Sequence, residues 1–231
     1  MVEKNVNSLT IVNILKARKH NGLYSCIVCG ERGIGKSSYA LQTLYQVFRT
    51  LGFDVETSWN MALDRMLYTI PDVIKFLEES REKKDKDVFA WDDAGSFAGG
   101  VRWFTHQREM VLIESLCDTL RNCVYGILLT VPDIRTLSRR LRSYDDYVIK
   151  IYHTKKNHHA SDESTIGTIR QARVYKKTMS PIGQTRIYKK YYDNFDIMLP
   201  DWIYNKYQAK RKRYGDADLQ KLKQLMEKDS S

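Results

Sequence analysis

Two stretches of the sequence place residues at spacings suited to chemistry on a phosphate. In residues 23–38, LYSCIVCGERGIGKSS, an apolar run breaks into glycines, a lysine and two serines, giving Gly30, four residues, then Gly35, Lys36 and Ser37. A β-prone stretch precedes this GxxxxGKS pattern and a helix-prone stretch follows it, the setting in which such a loop wraps a phosphate. Gly30, Gly33 and Gly35 permit backbone conformations closed to other residues. The N–H groups of Gly30, Glu31, Arg32, Gly33, Ile34, Gly35, Lys36, Ser37 and Ser38 can therefore turn inward at the positive end of the next helix. Lys36 would reach the β- and γ-phosphates as a point charge, and the Ser37 hydroxyl would ligate magnesium.

The second stretch is VFAWDDAG, residues 88–95, an apolar run ending abruptly in two carboxylates. It reads as a buried parallel strand, and ligands of open α/β sheets sit beyond the carboxyl ends of the strands. Asp92 is then expected to hold the magnesium, and Asp93 to orient an attacking water as a catalytic residue. GILLT, residues 126–130, is another short buried strand; Thr130 at its end would lie next to Asp92 and sense the γ-phosphate, or merely end the strand.

The remaining elements must hold these groups in place. Residues 8–19 read as a helix with Leu9, Val12 and Leu15 on one face, stopped by Asn21-Gly22. Helix is expected from Ser37 to Leu51, with Leu41, Leu44, Tyr45 and Phe48 inward and Gly52 ending it. Thr57 or Ser58 is the expected cap of a helix through Met61 and Arg65, followed by an extended piece at 68–70 and a helix from Pro71-Asp72 to Ser80. Residues 81–87 read as a solvated helix end and turn, 95–106 as a mobile glycine- and aromatic-rich loop, and 107–121 as helix. An arginine-dense helix and a strand are expected in 135–151, where Arg139, Arg140 or Arg142 could reach a neighbouring subunit's nucleotide.

At 231 residues the chain suits one core plus an appendage. No apolar run reaches the ~18 residues of a membrane span, and MVEKNVNSLT lacks a signal peptide's apolar core. An intracellular protein, away from membranes, is expected. Cys26 and Cys29 form a CxxC, but their spacing on a strand points them to opposite faces, which favours core cysteines over zinc. The three histidines of 153–164 lack ligand spacing and read as a solvated connection.

The net charge of +10 is uneven: residues 1–150 carry 21 Lys+Arg against 19 Asp+Glu, residues 151–231 carry 17 against 9. The second part reads as a polyanion-binding appendage. Two strands, 165–177 and 185–192, interleave Arg170, Arg173, Lys176, Lys189 and Lys190 with Tyr175, Tyr188, Tyr191 and Tyr192. Such a hairpin could contact DNA through stacking and phosphate pairing, or pack on the body through its tyrosines. After Pro200 a helix with Trp202, Ile203 and Tyr207 on one face is expected, then KRKR at 210–213 and a frayed helix from Asp216.

The NGLYS entry to the loop, GERGIGKSSYAL, WDDAG, RN…GILLTVPD and the terminal LPDWIYNKYQAKRKRY, in this order and spacing, resemble the Walker-type ATPases of fuselloviruses, the spindle-shaped viruses of Sulfolobus. The resemblance runs from about residue 20 to 214 and extends to the DnaA-like AAA+ P-loop ATPases. It implies ATP and Mg2+ as ligands, and DNA and a possible homo-oligomer as partners. Tyr144 stands where that group's finger arginine is expected, which transfers the role to Arg142 or Arg140. An AAA+ lid is a helical bundle, whereas 151–192 read as strands, leaving a RecA-like or otherwise divergent core open.

The expected fold is a three-layer α/β P-loop NTPase with a mostly parallel central sheet and a C-terminal β-hairpin and helix appendage. Its divisions are an N-terminal helix at 1–22, an ATPase core at 23–151 and a basic appendage at 152–231. The resemblance implies an ATP hydrolase acting on viral DNA in replication initiation or helper loading. An FtsK/HerA-like packaging translocase and a nucleotide-gated DNA-binding switch are the alternatives.

Overall fold

The architecture follows from alternating apolar runs and amphipathic helices. The computed structural model describes residues 9–83, 85–97, 120–137, 147–154, 167–179 and 185–229. They divide into two compact units, 1–197 and 198–231.

In the first unit, α1 (Leu9–Lys19) leads to β1 (Tyr24–Cys29), α2 (Lys36–Thr50), α3 (Val55–Asp64), β2 (Met66–Leu67), α4 (Ile70–Lys83) and β3 (Asp87–Trp91). A short α5 (Ala94–Phe97), β4 (Val124–Val131), β5 (Tyr147–His153), β6 (Ile169–Met179) and β7 (Thr185–Asp196) complete it. The seven strands form one sheet in the order β2-β3-β4-β1-β5-β6-β7. The first five are parallel, and β6 and β7 continue the sheet antiparallel beyond β5.

Both faces of the parallel part are buried, as the continuous apolar strands require. On one face lie α1 and α2. Ile14 of α1 reaches the bare backbone of Gly126, where a Cβ would come within 3.1 Å of it and 2.7 Å of Val88. On the other face α4 brings Phe76 against Phe89, ring centroids 5.1 Å apart, within an apolar cluster that includes Ile27, Trp91, Leu129 and Leu137. The result is the expected three-layer α/β sandwich. Outside α2, α3 packs through Trp59 stacked on Tyr45 at 4.0 Å.

Several local expectations are corrected. The buried face of α1 is Thr10, Ile11 and Ile14, while Leu9 and Val12 are exposed. The reason lies in its neighbours: Ile14 fills the space over Gly126, and Thr10 joins a polar cluster described below. The cap of α3 is Asp54, whose carboxylate accepts from the Thr57 N–H at 3.0 Å. The extended piece is at 66–67, and α4 runs to Lys83 after Thr69 and Asp72 satisfy each other's backbone N–H groups. The expectations for 98–119, including most of the 107–121 helix, and for Arg139, Arg140 and Arg142 fall outside the described residues.

β7 carries one residue more than its partner where Val174 opposes Tyr191 and Tyr175 opposes Lys189, so Lys190 forms a β-bulge. In the second unit, a single helix, α6 (Asp201–Asp229), replaces the two tail segments expected. Ile203 and Tyr207 are buried one turn apart, whereas Trp202 is exposed under Lys206 at 5.0 Å.

Gly126→Ala is expected to cost about 1–3 kcal/mol, because Val88 and Ile14 belong to a packed β-strand and helix and yield little; chemical denaturation of both proteins measures it.

Candidate functional site at the phosphate loop

The glycines of the loop do what their sequence positions demand. Gly30, Gly33 and Gly35 have φ of 149°, 76° and 104°, values that disfavour any side chain. A Cβ on Gly30 would lie 3.1 Å from the Ile151 carbonyl, and one on Gly35 would collide with Ile197. Gly35 is also the N-cap residue of α2, so the loop delivers its backbone directly to the positive end of a 15-residue helix. The Lys36 ammonium donates to the Gly30 carbonyl at 3.0 Å and the Glu31 carbonyl at 2.7 Å, which holds the cation across the loop.

The sheet order brings the other groups together. β4 lies between β1 and β3, pairing Val28 with Thr130 and Leu129 with Trp91. Thr130, next to last in β4, and Asp92, just past the end of β3, therefore lie side by side near the loop. Ser37 donates to Asp92 Oδ1 at 2.8 Å, and Thr130 donates to the same oxygen at 2.6 Å. The Thr130 hydroxyl also accepts from the Asp93 N–H at 2.9 Å. Its donor is thus spent on Asp92, and Thr130 acts in this structure as a clamp on the Asp92-Asp93 turn. Asp92 is 4% exposed, a carboxylate sustained out of water by these donors. Asp93 follows with a left-handed φ of 52° and an exposed side chain. Aspartate tolerates that region better than most residues, and the Thr130 contact holds it there.

A parallel sheet, a glycine loop opening a helix, and a strand-end aspartate in contact with the loop serine decide the fold class. The fold is that of a Walker-type P-loop NTPase.

No protein-family model matches the chain. The chain is similar to uncharacterized protein B-251 of Sulfolobus spindle-shape virus 1, 26% identical over 220 residues that cover 94% of this chain and 85% of that one. The viral resemblance read from the motifs is thus met by a relative from a spindle-shaped Sulfolobus virus. Among solved structures, the genome packaging NTPase B204 of Sulfolobus turreted icosahedral virus 2, in complex with ATP-gammaS, is similar at 12% identity, with 74% of this chain and 98% of that chain covered and a TM-score of 0.43. The N-terminal domain of zonular occludens toxin from Neisseria meningitidis gives 14% identity, 80% and 98% coverage and a TM-score of 0.34. Such likenesses add nothing to what the strand order and the loop show by themselves.

This P-loop fold ties its loop helix to the terminal strands through buried polar groups that the motifs do not announce. Tyr39, three residues after Lys36, donates to Asp193 of β7 at 2.9 Å, and Thr10 of α1 donates to the same oxygen at 3.1 Å. Tyr191 joins through Thr10 at 3.1 Å and accepts from Asn13 at 3.2 Å. Burial, and then the Asp193 charge, hold the Tyr39 phenol well above its ordinary range, so it remains a donor. Phe195 meets Tyr39 edge-on at 5.0 Å, and Gln42 donates to the Asp196 carbonyl at 2.6 Å. Tyr191, one of the hairpin tyrosines expected either to contact DNA or to pack on the body, does the second and points into this cluster.

Arg170, named among the cations with which the hairpin could contact DNA, is 3% exposed, donates to the Gly167 and Ile169 carbonyls, and leaves its Nε without a partner. Cys26 and Cys29 are buried thiols outside any disulfide, and burial pushes the Cys29 thiol up, as befits core residues. Among the described residues no His, Cys, Asp and Glu cluster offers three metal ligands. No helix among them is long and apolar enough to cross a membrane. A groove of about 900 Å³ lined by Arg18, Glu78 and Lys86 sits where the strands begin, at the opposite end of the sheet from the loop.

Tyr39→Phe is expected to destabilise the protein by roughly 1–3 kcal/mol, because the buried Asp193 carboxylate loses a donor. Urea denaturation of the variant beside the parent reads the difference; an unchanged midpoint would show that Asp193 does not depend on Tyr39.

Proposed function

We propose that the protein binds ATP and Mg2+ at the Gly30–Ser38 loop and hydrolyses the nucleotide to act on viral DNA. The contact of Ser37 with Asp92 at the mouth of the loop carries this reading. A hydroxyl and a carboxylate sharing one point suit a hard, oxygen-seeking cation that takes few protein ligands and completes its shell with phosphate and water. The bound magnesium would supply charge neutralisation of the phosphates, with Ser37 and Asp92 as its protein ligands.

The chain's own residues do the rest. The loop N–H groups and the α2 N-terminus bind the phosphates, and Lys36 adds a positive charge already held at that place by Gly30 and Glu31. Asp93 is the candidate acceptor for the attacking water's proton, its backbone fixed by Thr130 while its carboxylate stays exposed. Thr130 positions both acids. Arg142 or Arg140 is proposed to act on the nucleotide of a neighbouring copy in a homo-oligomer.

The role proposed is replication initiation or helper loading in the host cytoplasm, with the basic strands β6 and β7 as the DNA-contacting element. A packaging translocase is the second reading. It is favoured by β6 and β7, which continue the sheet where an AAA+ lid would supply a helical bundle. A nucleotide-gated switch is the outcome if Asp93 proves too short to position water.

Lys36→Ala is expected to abolish binding of a fluorescent ATP analogue while leaving the thermal melt in place; retained affinity would remove the loop from nucleotide binding. Asp93→Asn is expected to lower steady-state phosphate release by about 10²- to 10⁴-fold with nucleotide affinity unchanged. Wild-type turnover in that variant would take Asp93 out of the mechanism.

A further inference from the structure

We propose that one face of the β5–β6–β7 extension, the face turned away from α1 and α2, is a platform for single-stranded DNA. The proposal rests on the reading of the protein as a DNA-directed NTPase and goes further by assigning the surface and the strandedness of the ligand.

Strand register sorts the basic and aromatic residues between two faces. Residues paired across strands share a face, and alternate residues fall on opposite ones. Val174 and Ala172 pair with Tyr191 and Asp193, and all of these turn toward α1 and α2. The intervening positions turn the other way. There Lys150, Arg173 and Tyr192 form one row across three strands, and Tyr175 and Lys189 form the next with Val148. Tyr152 lies in the row on the other side, beside the neutral Gln171 and Asn194. Within these rows each of the three strands presents one tyrosine and one cation, and none of the rows contains a carboxylate.

The cations are organised by the rings. Arg173 sits 4.6 Å and Lys150 5.2 Å from the Tyr152 ring centroid, and Lys189 sits 5.9 Å from that of Tyr192. Among the described residues Arg173 and Lys189 form no ion pair, so their charge is available to an anion; Arg173 is held by donating to Gln171 Oε1 at 2.7 Å, while Lys150 shares its charge with Asp133. Tyr192 is 55% exposed, and Lys189 is exposed beside it.

Rings on adjacent strands can meet a base only if its flat face is uncovered, and in a duplex those faces are taken by neighbouring base pairs. Stacking on aromatics combined with phosphate pairing is how single strands are bound without sequence preference. On the opposite face Tyr191 and Asp193 are committed to the cluster around Thr10 and Tyr39, and in its row of Tyr147, Lys176 and Tyr188 the Tyr147 ring is stacked on Tyr24 at 4.8 Å, which leaves Tyr188 as the exposed ring of that face. Its exposed cation Arg186 lies at the distal end of the hairpin, paired with Thr178.

The test is fluorescence anisotropy of the full chain with a labelled oligo-dT strand and with a duplex of equal length, across a salt series. Wild type is expected to prefer the single strand. Tyr192→Ala is expected to weaken it roughly 5- to 150-fold, with Tyr192→Phe restoring most of the affinity. Lys189→Ala is expected to lower the salt slope by about 0.7, and Arg186→Ala to leave affinity unchanged. The exposure of Tyr192 and Lys189 keeps these variants folded. Equal or tighter binding of duplex overturns the platform while the DNA-directed reading stands. So does undiminished affinity in Tyr192→Ala and Lys189→Ala, or an equal loss in Arg186→Ala. If wild type binds neither DNA, both fall, and nucleotide binding measured in parallel shows whether the NTPase reading survives.

Discussion

One oxygen of Asp92 accepts from both Ser37 and Thr130, and the arrangement of the site depends on that shared acceptor. A carboxylate this deeply buried needs donors, because leaving water without them costs several kcal/mol. The donors come from the loop and from a strand inserted between the loop strand and the acidic strand. The parallel order β1, β4, β3 is therefore a requirement of the chemistry as well as a way of burying apolar runs. Displace β4 by one residue and Thr130 turns to the other face, leaving the carboxylate short of a donor and the next residue's backbone without its anchor.

A second buried carboxylate, Asp193, does for the loop helix what Asp92 does for the loop. It gathers hydroxyls from α1 and α2 onto β7, so that the helix carrying the phosphate-binding end is joined to the antiparallel extension. Ile197, just past β7, faces Gly35 itself. The parallel core and the extension are consequently parts of one packed body within residues 1–197 rather than a core with a loosely tethered arm. A rearrangement of the loop would be felt at β7 through hydrogen bonds and side-chain contacts that have little slack.

Much of this was legible in the sequence where local chemistry decides structure. The GxxxxGKS spacing, the apolar runs before Ser37 and Asp92, and Gly52 after α2 each specify a backbone conformation or a buried strand on their own. The strand pair after residue 165 was readable from its alternation. What escaped was set by partners distant in sequence. The inward face of α1 could not be read from Leu9, Val12 and Leu15, because the space it fills is created by Gly126 and its polar contact by Asp193. Asp54 competed with Thr57 and Ser58 for one cap, and all three types are good caps. Tyr191 and Arg170 looked like their exposed neighbours, since alternation says that two faces differ without saying which one a helix covers.

The bulge at Lys190 has a consequence for how this chain can change. One extra residue shifts the phase of β7, so the positions before it and after it belong to different alternations. Were the bulge to flatten into regular pairing with Lys190 retained and the Asp193 end in place, Lys190 would oppose Tyr175 and each residue from Thr185 to Lys189 would exchange one face for the other. Tyr188 would then exchange places with Lys189 without any substitution. The chemical character of the hairpin's two surfaces is thus governed by how one residue is accommodated: loss of Lys190 would leave Lys189 opposite Tyr175, whereas pairing Lys190 would recast the surface while leaving the nucleotide site's own residues untouched.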